Sequence, residues 1–493
     1  MKKVLCLIAA AALLALASGC SAGSGSPDES GVTAAPDTSG AAESTAARET
    51  EPLSQELEAL DYGNRTVNIL YRLGNNYEFD YIPDELKNDP VSDSIYNSIQ
   101  KVNETLGIEI KTYNREPLND TVGTMIASGD QTYDIVCGSV YYTVPMLTSG
   151  YMLNLLDNGI DTYLDTESRW WAQYWIEKAM IGNDRLYSIT GAPALSLFRC
   201  LFVTFFNKDL GTDLGIEDLY TVVDEGRWTL DYVSELVAPL YLSLNGDDVR
   251  DAEDRYGIIM DNYVNCDIFW SSCDISLIER DDDGWFALDT SDREKLSGVF
   301  DWLYQILYNN SGVRVKDANT EYEIFSGGNS LLGFFHLADA ELSQFRNMQN
   351  EYGILPTPKY DEKQKEYYTY SHDQYNVFMV PKTSADPVMC GAVLETMAHE
   401  YYYDVMPVYY DIVLKGRYAN DPQSRRMLDG ITENIKIDTG WIYALALDQP
   451  CASVLRSLIM SQSKSFASSY ANTTKKLPSM LKAFRTTFEK FEY

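Results

Sequence analysis

Apolar and polar positions alternate along this chain in a way that switches period several times. Thr66 to Arg72 reads as a strand. Ser94 to Leu106 repeats apolar residues at Ile95, Ile99, Val102 and Leu106, one face of a helix that Gly107 stops. Ile108 to Tyr113 is strand-like. Leu118 to Ser128 is a short helix with Val122, Met125 and Ile126 on one side and Gly129 at its end, and Tyr133 to Cys137 is a third strand. This βαβαβ order predicts a right-handed parallel sheet, whose ligands bind at loops beyond the carboxyl ends of strands. From about 200 to 325 helix signals dominate: Thr229 caps a helix over Leu230 to Leu236, and Leu288 to Leu307 has helical length and spacing. Strand patterns return at Ser330–Phe335 and Asn376–Val380, and the chain from Met389 onward is helical, ending in an amphipathic stretch from Leu477 to Phe491. Sheet segments on both sides of a helical middle predict two domains, each assembled from separate stretches of chain.

The N-terminus has another pattern. Met1-Lys2-Lys3 precedes an apolar block from Val4 to Ala17 and the small pair Ser18-Gly19. That is the layout of a secretory signal, too short to span a bilayer. Leu16-Ala17-Ser18-Gly19-Cys20 resembles a bacterial lipobox, which implies cleavage after residue 19 and lipid on Cys20. Residues 20–61 form the expected tether. No aromatic residue stands between Ser21 and Asp61, so the segment has too little apolar surface to order itself. About 40 such residues reach about 35 Å.

The remaining body, about 430 residues, suits two or three domains. Formal net charge is −34, from 39 Lys and Arg against 73 Asp and Glu, which argues against nucleic acid and anionic lipid as partners. Six cysteines (Cys137, Cys200, Cys266, Cys273, Cys390 and Cys451) lie far apart with no CxxC pair, and are expected as buried free thiols. His336, His372 and His399 have no metal-type spacing. The body holds no GxSxG, P-loop or GxGxxG, and no metal, cofactor or catalytic group is expected. The acidic turns at Asp247-Asp248 and Asp281-Asp282-Asp283 lack EF-hand spacing and read as solvated loops.

Several phrases, in order, carry a resemblance. They are Ala127-Ser128-Gly129-Asp130 before Tyr133-Asp134-Ile135-Val136, then Phe206-Asn207-Lys208-Asp209-Leu210 and Glu225-Gly226-Arg227-Trp228-Thr229-Leu230. Tyr352-Gly353-Ile354-Leu355-Pro356-Thr357-Pro358, Val380-Pro381-Lys382-Thr383-Ser384 and Met427-Leu428-Asp429-Gly430 follow. Together behind a lipobox they resemble the extracellular solute-binding proteins of ABC importers, in the large class (family 1) that carries sugars. The resemblance implies an α/β, two-lobed, type II periplasmic-binding-protein-like fold closing about a hinge. It places 64–198 and 326–384 in the first lobe and 199–325 and 385–493 in the second.

It also implies a non-catalytic, monomeric receptor, lipid-anchored through Cys20 on the outer face of the cell membrane. Such a receptor captures a sugar or oligosaccharide and delivers it to the transmembrane subunits of an ABC permease. A surface carbohydrate-active enzyme, and a sensor or adhesin without a permease, share the signal, tether and aromatics. Sugars stack C–H faces on aromatic rings and exchange hydrogen bonds with planar polar groups. On that chemistry the candidate ligand-binding residues are Tyr71, Arg72 and Asn75 after the first strand, and Ser139, Tyr141 and Tyr142 after the third. Arg199 near the first crossing, Trp270, Asp373, Tyr375 and Trp441 complete the set. Trp170, Trp171, Trp175 and Trp228 read as core.

Overall fold

The computed structural model describes residues 51–72, 80, 82–247, 249–315, 320–410 and 421–491. The expected signal, Cys20, the tether as far as residue 50, and Asn75 lie outside the described residues.

Four strands build the first sheet: β1 (Arg65–Tyr71), β2 (Ile108–Asn114), β3 (Ile135–Ser139) and β11 (Asn376–Met379), in the order β11-β3-β1-β2. β1 runs parallel to both β2 and β3, as the βαβαβ pattern predicts, and β11 closes the edge antiparallel to β3. The helix between β1 and β2, α1 (Pro90–Leu106), starts four residues before the expected Ser94, because Asp89 caps it by accepting from Ser92 N. Its stop is as read: Gly107 takes φ +60°, and a Cβ there would stand 2.2 Å from Asp61 Oδ1. α2 (Leu118–Ser128) follows, and α3 (Val140–Thr148) springs directly from the end of β3.

The end of the expected tether is ordered. Gln55–Glu58 forms a helical turn, Leu57 enters the core at 3% exposure, and Tyr62 N donates to Leu106 O at 2.9 Å. Leu53, Leu57 and Leu60 supply an apolar face that the absence of aromatics concealed.

A second sheet holds β10 (Tyr352–Leu355), β4 (Phe202–Asn207), β9 (Ser330–His336), β5 (Tyr256–Met260) and β8 (Val313–Val315), in the order β10-β4-β9-β5-β8. β6 (Ile278–Arg280) and β7 (Phe286–Leu288) form a separate hairpin. This pairing corrects the expected lobe boundaries. β9 and β10 pair antiparallel with β4, so 330–355 belongs to the second sheet and not the first. Conversely, Pro387–Glu400 packs against α1 beside the first sheet. An apolar run buried on both faces says strand, but not which sheet it joins.

Two crossings between the sheets lie side by side. Phe202 N donates to Tyr370 O at 2.9 Å, and His372 N donates to Cys200 O at 3.0 Å. The six body cysteines are buried and unpaired. Among the described residues no helix is long and apolar enough to cross a membrane.

Candidate functional site

The carboxyl ends of both sheets carry the polar aromatic loops. On the first sheet, Arg72 is the residue after β1. Its backbone N–H donates to Cys137 O at 3.0 Å, and its guanidinium lies 4.0 Å from the centre of the Tyr142 ring. β3 ends at Ser139, whose Oγ donates to Asp373 O at 3.0 Å. Tyr141 N donates to the same carbonyl at 3.3 Å. Tyr141 and Tyr142 therefore stand in the first turn of α3 with rings at 5.1 Å and 85°, and Tyr142 is 39% exposed.

On the second sheet, β5 ends at Met260. Asp261 Oδ1 accepts from Tyr263 N at 2.8 Å and Asn265 N at 2.9 Å, which starts α4 (Val264–Ser272). That helix presents Asp267, buried, whose Oδ2 accepts from the largely covered Arg456 Nη1 at 2.5 Å. Arg456 opens the short helix Arg456–Met460, and its guanidinium lies 4.6 Å from the Tyr263 ring centre and 5.6 Å from that of Trp441. Burial pushes the Asp267 carboxyl well above the usual carboxylate range, and Arg456 opposes it. Burial likewise raises Asp373, with Gln374 and Arg456 opposing.

The two sides share one electrostatic neighbourhood. Burial raises the Tyr141 hydroxyl, with Asp373 adding to the shift and Arg456 opposing it, and Tyr263 also reaches it. Thr439–Ile442, which carries Trp441, packs against both α3 and Gln173–Ala179. Beyond the strand ends of the second sheet lies a cavity of ≈ 450 Å³, lined by Phe202, Asp261, Glu321, His336, Asp339 and His372 among others.

The expected residues divide. Arg72, Ser139, Tyr141, Tyr142, Asp373 and Trp441 come together around this site. Tyr71 is core, its ring edge-on to Phe378 at 6.4 Å. Tyr375 is also core: its hydroxyl accepts from Trp175 Nε1 at 2.9 Å. Trp270 is fully buried behind Trp441, with ring centroids at 6.3 Å, so it has no face to offer a sugar in this arrangement. Arg199 is ion-paired with Glu341, from the segment after β9, and faces the Tyr409 ring at 5.5 Å. A salt bridge at Arg199 is the reading that competes with a ligand role.

Tyr263, Asp267, Tyr370 and Arg456 were missed from the sequence. The signal for Tyr263 was there: Tyr256 to Met260 is an apolar run ended by Asp261-Asn262-Tyr263, a strand with an aromatic carboxyl end. Arg456 interrupts the apolar stretch Val454 to Ile459, a place where a cation needs a buried partner.

Known structures share this architecture. A sugar transporter from Rhizobium etli, in an open conformation, is 14% identical with a TM-score of 0.54 over 85% of this chain and 99% of that one. The maltose/maltodextrin-binding domain MalE from Bdellovibrio bacteriovorus, bound to maltotriose, is 12% identical with a TM-score of 0.52 over 85% and 100%. An ABC substrate-binding protein from Listeria monocytogenes, in complex with cycloalternan, is 11% identical with a TM-score of 0.51 over 86% and 99%. No protein-family model and no curated protein matches the chain. The fold is the two-lobed α/β fold of periplasmic binding proteins.

Proposed function

We propose that this protein is a lipid-anchored extracytoplasmic receptor that captures a sugar or oligosaccharide between its lobes and delivers it to an ABC permease. One observation carries the reading. Tyr141, beside Tyr142 and Arg72 at the strand ends of the first sheet, lies within the electrostatic reach of Tyr263 and Arg456 of the second, and Arg456 is paired with Asp267. Aromatic rings beside planar charged groups match the two chemical handles of a sugar. The solute-binding structures with this fold support it.

Ligand contacts made by both lobes favour the closed form by their differential affinity, with the two crossings at 199–202 and 370–373 absorbing the motion. The lipid on Cys20 keeps the receptor near its membrane partner and raises its effective concentration there. Titration calorimetry against a panel of mono- and oligosaccharides tests the reading. Micromolar binding that weakens in Tyr142→Ala and Tyr263→Ala supports it. Binding of a peptide, with no response to any saccharide, overturns it.

A further inference from the structure

The ion pair between Arg456 and Asp267 leaves hydrogen-bonding capacity over. Asp267 accepts from Arg456 through Oδ2, while its Oδ1 is buried with no hydrogen-bond partner among the described residues. The Tyr370 hydroxyl and the Trp441 indole N–H share that condition. The three residues are 1%, 2% and 4% exposed. They are close together: the rings of Tyr370 and Trp441 have centroids 6.1 Å apart, and Arg456 lies 5.6 Å from the Trp441 ring. A buried polar atom left unpaired keeps the full cost of its lost hydration. Three around one guanidinium mark a place where a ligand's polar groups are worth most.

Charge decides which groups. The one guanidinium faces Asp267, and the charges of Asp373 and Asp261 also reach Asp267. The cavity of the second sheet is lined by Val264 and Asn265 of the same helix, α4, and by His372, the chain neighbour of Asp373. Its described lining includes Asp261, Glu321, Glu323 and Asp339, and no lysine or arginine. A carboxylate or phosphate on the ligand meets like charge here. An ammonium meets an acceptor that lacks a donor, and a charge-assisted hydrogen bond is about twice as strong as a neutral one.

We propose that this site selects a saccharide bearing a protonated amine, the ammonium donating to Asp267 Oδ1 and sugar hydroxyls pairing with Tyr370 and Trp441. The proposal rests on the receptor reading and adds the ligand's charge class to it. Calorimetry on the whole protein compares three oligosaccharides of equal length: a glucosamine oligomer, its N-acetylated neutral form and a galacturonate oligomer. The amine form is expected to bind at least about tenfold tighter than the neutral one, with an advantage that shrinks as salt rises, and the uronate weakest. In Asp267→Asn the amine-to-neutral affinity ratio falls about tenfold. In Glu323→Gln, an exposed position on the cavity wall that leaves the buried ion pair intact, it falls about threefold. Equal or tighter binding of the neutral or acidic oligomer overturns the charge selection and leaves the receptor reading standing. No binding by any of the three, or by a wider saccharide panel, overturns both.

Discussion

Arg456 Nη1 and Asp267 Oδ2 stand 2.5 Å apart in a place where their side chains are 11% and 1% exposed. Nothing in the chain order announces this pair, which joins residues 189 positions apart. It fixes the second lobe's share of the site, because Tyr263 and Trp441 both lie against the same guanidinium.

Breaking the pair from one side should be costly. Arg456→Met leaves Asp267 buried without its cation, a loss of about 3–5 kcal/mol. Combining it with Asp267→Asn removes the stranded charge and should recover most of that loss. Denaturant unfolding of the two single variants and the double variant measures the coupling. Additive effects would mean that the two residues do not depend on one another.

Much of the first lobe was legible because its punctuation is chemical. Gly107 and Gly129 both take left-handed backbone at the ends of the helices they were read to stop. The strand-end rule expects Tyr141 and Tyr142 in a loop after the third strand, and the structure places them after β3 in the first turn of α3. The second lobe was less legible. Leu331 and Leu332 are buried in β9, so their apolar run announced a strand without naming its sheet. The sequence offers Trp270 as a platform because it stands in an otherwise polar stretch, and Tyr375 as a ligand contact because it precedes the strand at Asn376. Their partners, Trp441 and Trp175, come from distant segments and make them core.

Tyr375 gives a test of that last point. Trp175→Phe removes the indole donor to the Tyr375 hydroxyl and should cost about 1–2 kcal/mol of stability. Tyr375→Phe should likewise lower the melting temperature while changing saccharide affinity less than about threefold. Loss of binding in Tyr375→Phe at unchanged stability would return Tyr375 to the site.

A buried carboxyl makes stability depend on pH. Glu395 accepts from the indole N–H groups of Trp170 at 2.9 Å and Trp171 at 3.0 Å, and from Asp165 N at 3.2 Å. Burial nonetheless pushes its carboxyl up from 4.5 to about 7. A raised acid holds its proton longer in the folded state than in the unfolded one. Its contribution is therefore favourable below pH 4.5 and is lost as pH rises toward 7, a change of about 3 kcal/mol. His372 acts oppositely. Burial depresses it from 6.5 to about 3, so its contribution is lost as pH falls through that window. Because the windows overlap, the test is the difference between the native protein and Glu395→Gln. That difference should fall steadily between pH 4.5 and 7 and be flat above, read from melting temperatures. A flat difference throughout would place the Glu395 carboxyl at its ordinary value.

The anchor can be tested by counting thiols. The six body cysteines are all buried and free, and burial raises the thiol of each, Cys273 and Cys390 to about 12. They should be inert to a thiol reagent in the native protein, because the thiolate is the reactive form. After denaturation a chain beginning at Cys20 exposes six thiols if the Cys20 sulfur carries lipid and seven if it is free. Six is the expected count for protein purified from membranes with detergent. On the proposed lipid anchor, whose chains hold the membrane by about 0.8 kcal/mol per buried methylene, Cys20→Ala should then shift the protein into the medium with its saccharide affinity unchanged. Seven thiols in membrane-purified protein would mean that another part of the chain holds it there. A fall in affinity on Cys20→Ala would mean that the anchor also shapes the binding site.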